Sequence, residues 1–238
     1  MKKVDINSIP EIERMRHTAS HVLAQAVLNI YPDAKLGIGP AIDDGFYYDF
    51  EFKKPIYEED LEKIEREMNK IIKMNLPLKQ SFMPREQAYN MLKENKQEYK
   101  LELLEDIPDK DISFYTTGEN HFIDMCRGPH IESTGKIGAV KLKSIAGAYW
   151  RGDEKKPMLT RIYGFAFETE KQLEEHLNKI EEAKKRDHRK LGPQLELFMF
   201  SDLVGPALPI LLPKGHIIRR ELERYIVDKK EKYGHKFV

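Results

Sequence analysis

Apolar residues recur at helical spacing over much of the first hundred residues, with one hairpin-like break, and give way from about residue 112 to short alternating segments. That change of period constrains the fold more than any other feature, because a 3.6-residue repeat buries one side of a helix and a 2-residue repeat one face of a sheet. Ile12, Met15, Ala19, Val22, Leu23, Ala26, Val27 and Ile30 predict a helix over 9–30, opened by a capping-box pattern of Ser8 with Glu11 and by Pro10 in the first turn. The stretch 35–52, KLGIGPAIDDGFYYDFEF, breaks at DDG and resumes with aromatic alternation, which reads as a β-hairpin. Leu61, Ile64, Met68, Ile71 and Ile72 predict a second helix, Pro84 introduces a third in REQAYNMLKEN, and KQEYKLELLEDI forms a short fourth. Beyond 112, ISFYT, HFIDM, AVKLKSIAGAYW and LTRIYGFAF are β-prone segments parted by Gly, Asp and Lys clusters. Helix, hairpin, helices and then several strands is not the regular alternation of a doubly wound parallel fold. The predicted class is α+β, an antiparallel sheet with packed helices.

Residues 168–192 predict one charged helix with a narrow stripe at Leu173, His176, Leu177 and Ile180, ended by Gly192 and Pro193, which reads as a connector. The remainder holds a Pro-rich apolar stretch, ALPILLP, and one more helix, then stops as a strand begins. It reads as the opening of another domain.

The chain of 238 residues, with 40% hydrophobic and 34% charged residues, is sized for one or two soluble domains with a proper core. Formal net charge is zero, so no global basic field advertises a polyanion, which leaves local contacts with RNA open. The lone Cys126 excludes an internal disulfide framework and fits the cytoplasm. The N-terminus lacks the apolar stretch of a signal peptide, and no window approaches the ~18 apolar residues of a membrane span.

Two short motifs carry chemistry. HTASH puts His17 and His21 four residues apart on the predicted first helix, roughly opposite the centre of its apolar stripe and beside Ala24 and Leu28, outside the main core. CRGPH puts Cys126 and His130 at the same spacing in a loop after HFIDM. Side chains at i and i+4 of a helix share one face about 6 Å apart, within reach of one ion or one water. Three imidazoles and a thiolate would suit zinc, although with every ligand used the ion would have to give up a position to bind substrate. Taken singly, a histidine pair on a polar face is more often solvated, and a buried cysteine is more often a small hydrophobe. The repeated spacing, with the chain's one cysteine in it, argues for a site.

HTASHVLAQAV, GFYYDF, DMCRGPH and SIAGAYWRGDEKKPMLTRIYGFAF, in that order, resemble the editing domain of bacterial threonyl-tRNA synthetases over most of residues 11–168. The related alanyl-tRNA synthetase editing domains typically read CGGTH in the second motif, so CRGPH and AYWRGD point to the threonyl branch. RDHRKLGPQLELF with GPALPILLPKGHIIRRELERYI resembles that family's linker helix and the start of its class II catalytic domain. The resemblance thus implies an editing domain over 1–168, a linker helix over 169–192 and the truncated start of a catalytic domain over 193–238. The later ATP-gripping motifs and the separate catalytic-zinc ligands have no counterpart, so aminoacylation is not expected; ATP, Mg and that zinc belong to the full-length parent, a homodimer through its catalytic domain.

The activity implied is hydrolysis of mischarged seryl-tRNA(Thr), with the serine-carrying 3' end of tRNA(Thr) as partner. By motif, His17, His21, Lys100, Cys126 and His130 are the catalytic residues, with His17, alone or with Lys100, polarising the water. Asp124 holds the substrate ammonium and Tyr48 also binds substrate. No metal is favoured and none is required for editing; zinc, if bound, would take His17, His21, Cys126 and His130. Trp150 and Arg151 read as packing and turn residues, and KKRDHRK over 184–190 as a basic cluster able to touch tRNA or simply a solvated helix face. Two other readings stand beside this one: a free-standing alanyl-type deacylase of seryl-tRNA(Ala), and a non-catalytic RNA-binding module organised by zinc.

Overall fold

The first apolar repeat forms α1, Glu11–Ile30, with Pro10 at its N-cap. The computed structural model describes residues 9–119, 121–205 and 207–236, so the capping box expected at Ser8 lies outside the described residues. The chain divides into two units, Met1–Glu175 and His176–Val238.

In the first unit, the hairpin predicted around DDG is built from β2, Ala41–Ile42, and β3, Gly45–Glu51, with β1, Lys35–Leu36, pairing the far end of β3. Alternation along β3 sends Phe46, Tyr48 and Phe50 fully into the core. Gly45 has to be glycine, because a Cβ there would stand 2.0 Å from the carbonyl oxygen of Gly164 on the neighbouring strand. The chain continues through α2, Leu61–Lys73, whose Leu61, Ile64, Met68 and Ile71 are buried as their spacing predicts. Next come β4, Leu78–Pro84; α3, Arg85–Glu94; α4, Glu98–Glu105; β5, Asp111–Thr117; β6, Phe122–Met125; β7, Ala139–Tyr149; and β8, Met158–Phe167.

Two antiparallel sheets result, in keeping with the α+β expectation. One has five strands in the order β1-β3-β8-β7 with β2 added on β3, and the other has the order β4-β5-β6. Helices α1 and α2 pack together, α1 touching β3 and β8 and α2 touching β7, and the main core of Leu23, Val27, Ile64, Met68, Tyr48 and Ile162 fills the space between helices and sheet. A second cluster, Ala88, Leu92, Leu104, Ile112 and Phe114, holds α3 and α4 to the smaller sheet. Strand β4 has no counterpart in the sequence reading: it is an edge strand, mostly exposed, and pairs only with β5, so its residues carry no buried alternation.

The expectation that α1 presents a polar face fails. Every residue from Thr18 to Val27 is buried, the polar Thr18, Ser20, His21 and Gln25 included. Over 18–27 the helix has no solvent face: the chain that follows β6 covers His17 and Thr18, and Ser20 donates to Gly39 O at 2.6 Å. Thr18 Oγ1 accepts from the backbone N–H of Ile131 at 3.2 Å and Pro129 O lies 3.3 Å from His17 Nδ1.

The helix predicted over 168–192 is two helices, α5, Glu170–Lys185, and α6, His188–Gln194. Asp187 interrupts it, because its side chain accepts the N–H of Arg189 and caps the second helix, which runs past Gly192 and takes Pro193 inside. In the second unit, β9, Phe198–Met199, pairs with β10, Ile210–Leu211, so part of the ALPILLP run becomes a strand. The last helix, α7, Pro213–Lys232, buries Gly215 alone among its residues. The strand expected at the very end falls partly on residues 237–238, outside those described. No helix among the described residues is long and apolar enough to cross a membrane.

Candidate active site

Helix α1 carries His17 and His21 on successive turns, and the segment leaving β6 carries Cys126 and His130. Folding brings the two pairs together, with ring centroids 4.1 Å apart for His17 and His130, 4.2 Å for His21 and His130, and 5.2 Å for His17 and His21. The Sγ of Cys126 lies 3.3 Å from His17 Nε2 and 3.4 Å from His130 Nε2. One donor atom from each of the four residues falls within 4.8 Å of the others. His21 and His130 are buried, whereas His17 and Cys126 are half-buried and form the open side of the group.

Hydrogen bonding behind the rings of His17 and His130 fixes their tautomers. A carbonyl only accepts, so the 3.3 Å contact with Pro129 O places the proton of His17 on Nδ1 and leaves a lone pair on Nε2. Thr18 gives its single hydroxyl proton to Arg14 O at 2.8 Å, and at 3.1 Å it therefore accepts from Nδ1 of His130. The Nε2 of His130 is likewise unprotonated. Two nitrogen lone pairs thus face one sulfur, whose single S–H can satisfy only one of them, and the N–H of Gly128 also donates to that sulfur at 3.2 Å. Nδ1 of His21 is buried with no hydrogen-bond partner among the described residues.

A buried carboxylate stands beside this group. Lys100, facing inward from α4, places Nζ 2.6 Å from Asp124 Oδ1, and the hydroxyl of Tyr48 donates to Oδ2 at 2.7 Å. Nε2 of His21 lies 3.6 Å from Oδ2, an electrostatic contact beyond hydrogen-bond reach. Lys100, Asp124 and Tyr48 are each at most 4% exposed. All seven residues selected from the sequence therefore meet in one place. Helix α4 is held there through contacts with the large sheet, including Gln97 Oε1 accepting the N–H of Leu36 and Glu102 accepting Trp150 Nε1–H at 2.8 Å. Trp150 and Arg151, the latter paired with Glu102 and Asp106, serve that packing, as the sequence suggests. In the 184–190 cluster, Lys185 and Arg186 pair with Glu182, and Arg189 pairs with Asp187.

Burial sets the protonation states. It lowers the pKa of His17, with the Pro129 hydrogen bond and Asp124 opposing, and lowers His21 and His130 further, helped by the neighbouring imidazoles. It pushes the Cys126 thiol up to about 12, with Asp124 adding to the effect. Neutral imidazoles and a protonated thiol follow near pH 7.

Three residues escaped the sequence reading: Thr18, Gly128 and Tyr115. Thr18 sits inside HTASH and Gly128 inside CRGPH, but nothing in the spacing announces that their hydroxyl and N–H tie the two motifs together. Tyr115 lies directly across from Asp124 in the β5–β6 register, and its ring meets that of His130 edge-on at 4.3 Å. Gly128 has φ +68°, and a Cβ there would come 2.3 Å from the Tyr115 hydroxyl oxygen. Gly128→Ala is accordingly expected to cost about 1–3 kcal/mol in denaturant unfolding and to shift Tyr115 off His130. Unchanged stability would show that the turn relaxes freely.

The quartet fits a metal ion by its chemistry: three imidazole nitrogens and a sulfur, two of the rings oriented from behind by Nδ1–H donors, and a buried, unpartnered nitrogen on the third.

Residues 112–163, which carry Tyr115, Asp124, Cys126 and His130, match the family described as the threonyl and alanyl tRNA synthetase second additional domain. Over nearly all of its own length the chain is similar to part of several threonine–tRNA ligases. It is 54% identical over 221 residues to the threonine–tRNA ligase of Acetivibrio thermocellus, covering 92% of this chain and 34% of that protein. Against the Clostridium botulinum (strain Langeland) protein of the same name it is 55% identical over 222 residues, 93% of this chain and 34% of the relative. Against that of Rubrobacter xylanophilus it is 49% identical over 225 residues, 94% and 35% respectively. The chain spans about a third of the length of the curated relatives it matches.

Proposed function

We propose that the chain removes serine from mischarged tRNA(Thr) by hydrolysing the aminoacyl ester. Threonine and serine differ by one methyl group, from which a binding pocket extracts only about 1–3 kcal/mol, so a threonine-activating enzyme needs a second, hydrolytic site. The observation that carries this reading is the convergence of three imidazoles and a thiol within 4.8 Å of one another on a group with one open side. In this reading residues 1–168 are the editing domain, 169–192 the connector and 193–238 the opening of a catalytic domain. Threonylation itself, with its ATP, Mg and homodimer, belongs to the longer relatives, and the setting is cytoplasmic protein synthesis.

The unprotonated Nε2 of His17, on the open side, is the group suited to accept a proton from water as its oxygen attacks the ester carbonyl carbon. The tetrahedral adduct then expels the ribose oxygen, which takes the proton back from His17, and serine and free tRNA leave. Cys126 is no nucleophile here, since its thiol holds its proton near neutral pH. Asp124 and Lys100 take parts other than those first assigned. Both carboxylate oxygens are engaged by Lys100 and Tyr48, so a substrate ammonium would have to displace a buried partner, and Lys100 spends its charge on Asp124. We assign the three residues to holding His21 and the polar floor of the site.

A zinc ion held by His17, His21, Cys126 and His130 would supply Lewis-acid polarisation of a carbonyl or water. It would also consume the His17 lone pair needed as base, so water is proposed as the working occupant. The test compares hydrolysis of seryl-tRNA(Thr), threonyl-tRNA(Thr) and seryl-tRNA(Ala) by the chain, with and without a chelator. Turnover of the first alone, unaffected by chelation, is expected. Preference for seryl-tRNA(Ala) would assign the alanyl-type activity, and unfolding on chelation would assign a structural zinc module.

A further inference from the structure

Ester hydrolysis needs a hydrogen-bond donor for the negative charge that grows on the carbonyl oxygen, and such a donor is most effective when already in place and not used elsewhere. Most of the side-chain donors around the quartet are spent within the protein. Nδ1–H of His17 goes to Pro129 O, Nδ1–H of His130 to Thr18, and the Thr18 hydroxyl to Arg14 O. The hydroxyl of Tyr48 goes to Asp124, Lys100 is paired with the same carboxylate, and His21 turns Nε2 toward it. The S–H of Cys126 faces two nitrogen lone pairs.

Two side-chain donors beside the quartet make no hydrogen bond among the described residues: the ring N–H of His21, which faces the Asp124 carboxylate, and the hydroxyl of Tyr115. Tyr115 is 7% exposed, yet no group among the described residues hydrogen-bonds its hydroxyl. The oxygen is not among the fully buried atoms without a partner, so the hydroxyl keeps an accessible edge from which it can donate to a ligand. Its position is set on three sides: the ring rests edge-on against His130, the strand register puts it opposite Asp124, and the oxygen lies over the Cα of Gly128, where only glycine leaves room. That places the hydroxyl next to the Cys126–His130 turn, on the same sheet face as Asp124. A phenol keeps its proton at neutral pH, so the group is a donor.

Resting on the deacylase reading above, we infer that the Tyr115 hydroxyl is a further catalytic group, donating a hydrogen bond to the oxyanion of the tetrahedral adduct formed on the seryl ester.

Tyr115→Phe removes the oxygen and keeps the ring against His130. For the full 238-residue chain, the expected result is a fall in kcat for seryl-tRNA(Thr) of roughly 10²–10³-fold with KM little changed, the loss typical of one oxyanion donor. A change confined to KM, or a rate within twofold of wild type, overturns the assignment and leaves the backbone N–H groups of the turn as donors. Two non-hydrolysable probes separate this from failure of the deacylase reading: 3'-seryl-adenosine linked by an amide, and its tetrahedral anionic phosphonate analogue. Wild type is expected to bind the phosphonate more tightly, and Tyr115→Phe to lose that advantage while binding the amide unchanged. No preference for the phosphonate in wild type, or equal weakening of both probes in the variant, refutes the inference whatever the turnover assay gives. Active wild type, an inactive His17→Ala and a fully active Tyr115→Phe would retain the deacylase and reject Tyr115.

Discussion

Replacing His17 with alanine is expected to reduce hydrolysis of seryl-tRNA(Thr) by about 10²–10⁴-fold, the range lost with a general base. Since His17 is half-buried and not part of the apolar core, stability should change little, so the loss should fall in kcat under conditions where the chain remains folded. A variant retaining a tenth or more of the wild-type rate would remove His17 from the proton path. The pH profile offers a second check. Burial lowers the pKa of His17, so its neutral form persists below the ordinary value near 6.5 and the acid limb of kcat should lie under that pH. The same direction holds for His21 and His130. Between the ordinary value and the lowered ones, the unfolded chain binds protons that the folded site refuses. Stability from these groups is therefore complete above about pH 6.5 and is lost as pH falls below it. Unfolding midpoints measured from neutral to acid pH should decline through that window, and a flat profile would show that the imidazoles do not resist protonation.

Asp124→Ala is expected to produce the largest loss of stability among the site substitutions, about 3–5 kcal/mol, because it leaves the ammonium of Lys100 buried without its counter-charge. For a unit of this size that corresponds to a fall in Tm of roughly 6–20 °C. The Tyr48 hydroxyl loses its acceptor in the same step. A double variant, Asp124→Asn with Lys100→Met, removes both charges and should recover most of the deficit, since the penalty lies in an unpaired buried charge and not in the absence of the pair. If the single variant melts within about 1 kcal/mol of wild type, water reaches Lys100 and the pair is not sealed as its burial indicates.

Much of this was legible in the chain's own pattern. The spacing of Leu61, Ile64, Met68 and Ile71 marked α2, and the alternation of Phe46, Tyr48 and Phe50 marked the inward face of β3, since periodic burial leaves a periodic trace. The repeated four-residue spacing in HTASH and CRGPH pointed to the quartet because its members are locally paired, two by two. Strand β4 left no such trace, being an exposed edge held by backbone hydrogen bonds that any residue can make. The break at Asp187 was hidden inside a continuous run of charged, helix-forming residues.

The polar stripe of α1 shows where local pattern ends. His17 and His21 read as lying off the core, on a face that a lone helix would turn to solvent; the segment 126–131 closes over His17 and Thr18, and a contact between residues 109 to 113 positions apart has no periodicity to betray it. The sequence by itself determined the antiparallel α+β class, most of the element types and the two residue pairs that come together in the quartet. Only the tertiary structure decided which nitrogen of His17 and of His130 carries its proton, that Lys100 is matched to Asp124, and that the hydroxyl of Tyr115 is left to spare. Those depend on distances between groups far apart along the chain, and such distances exist only once the core has packed.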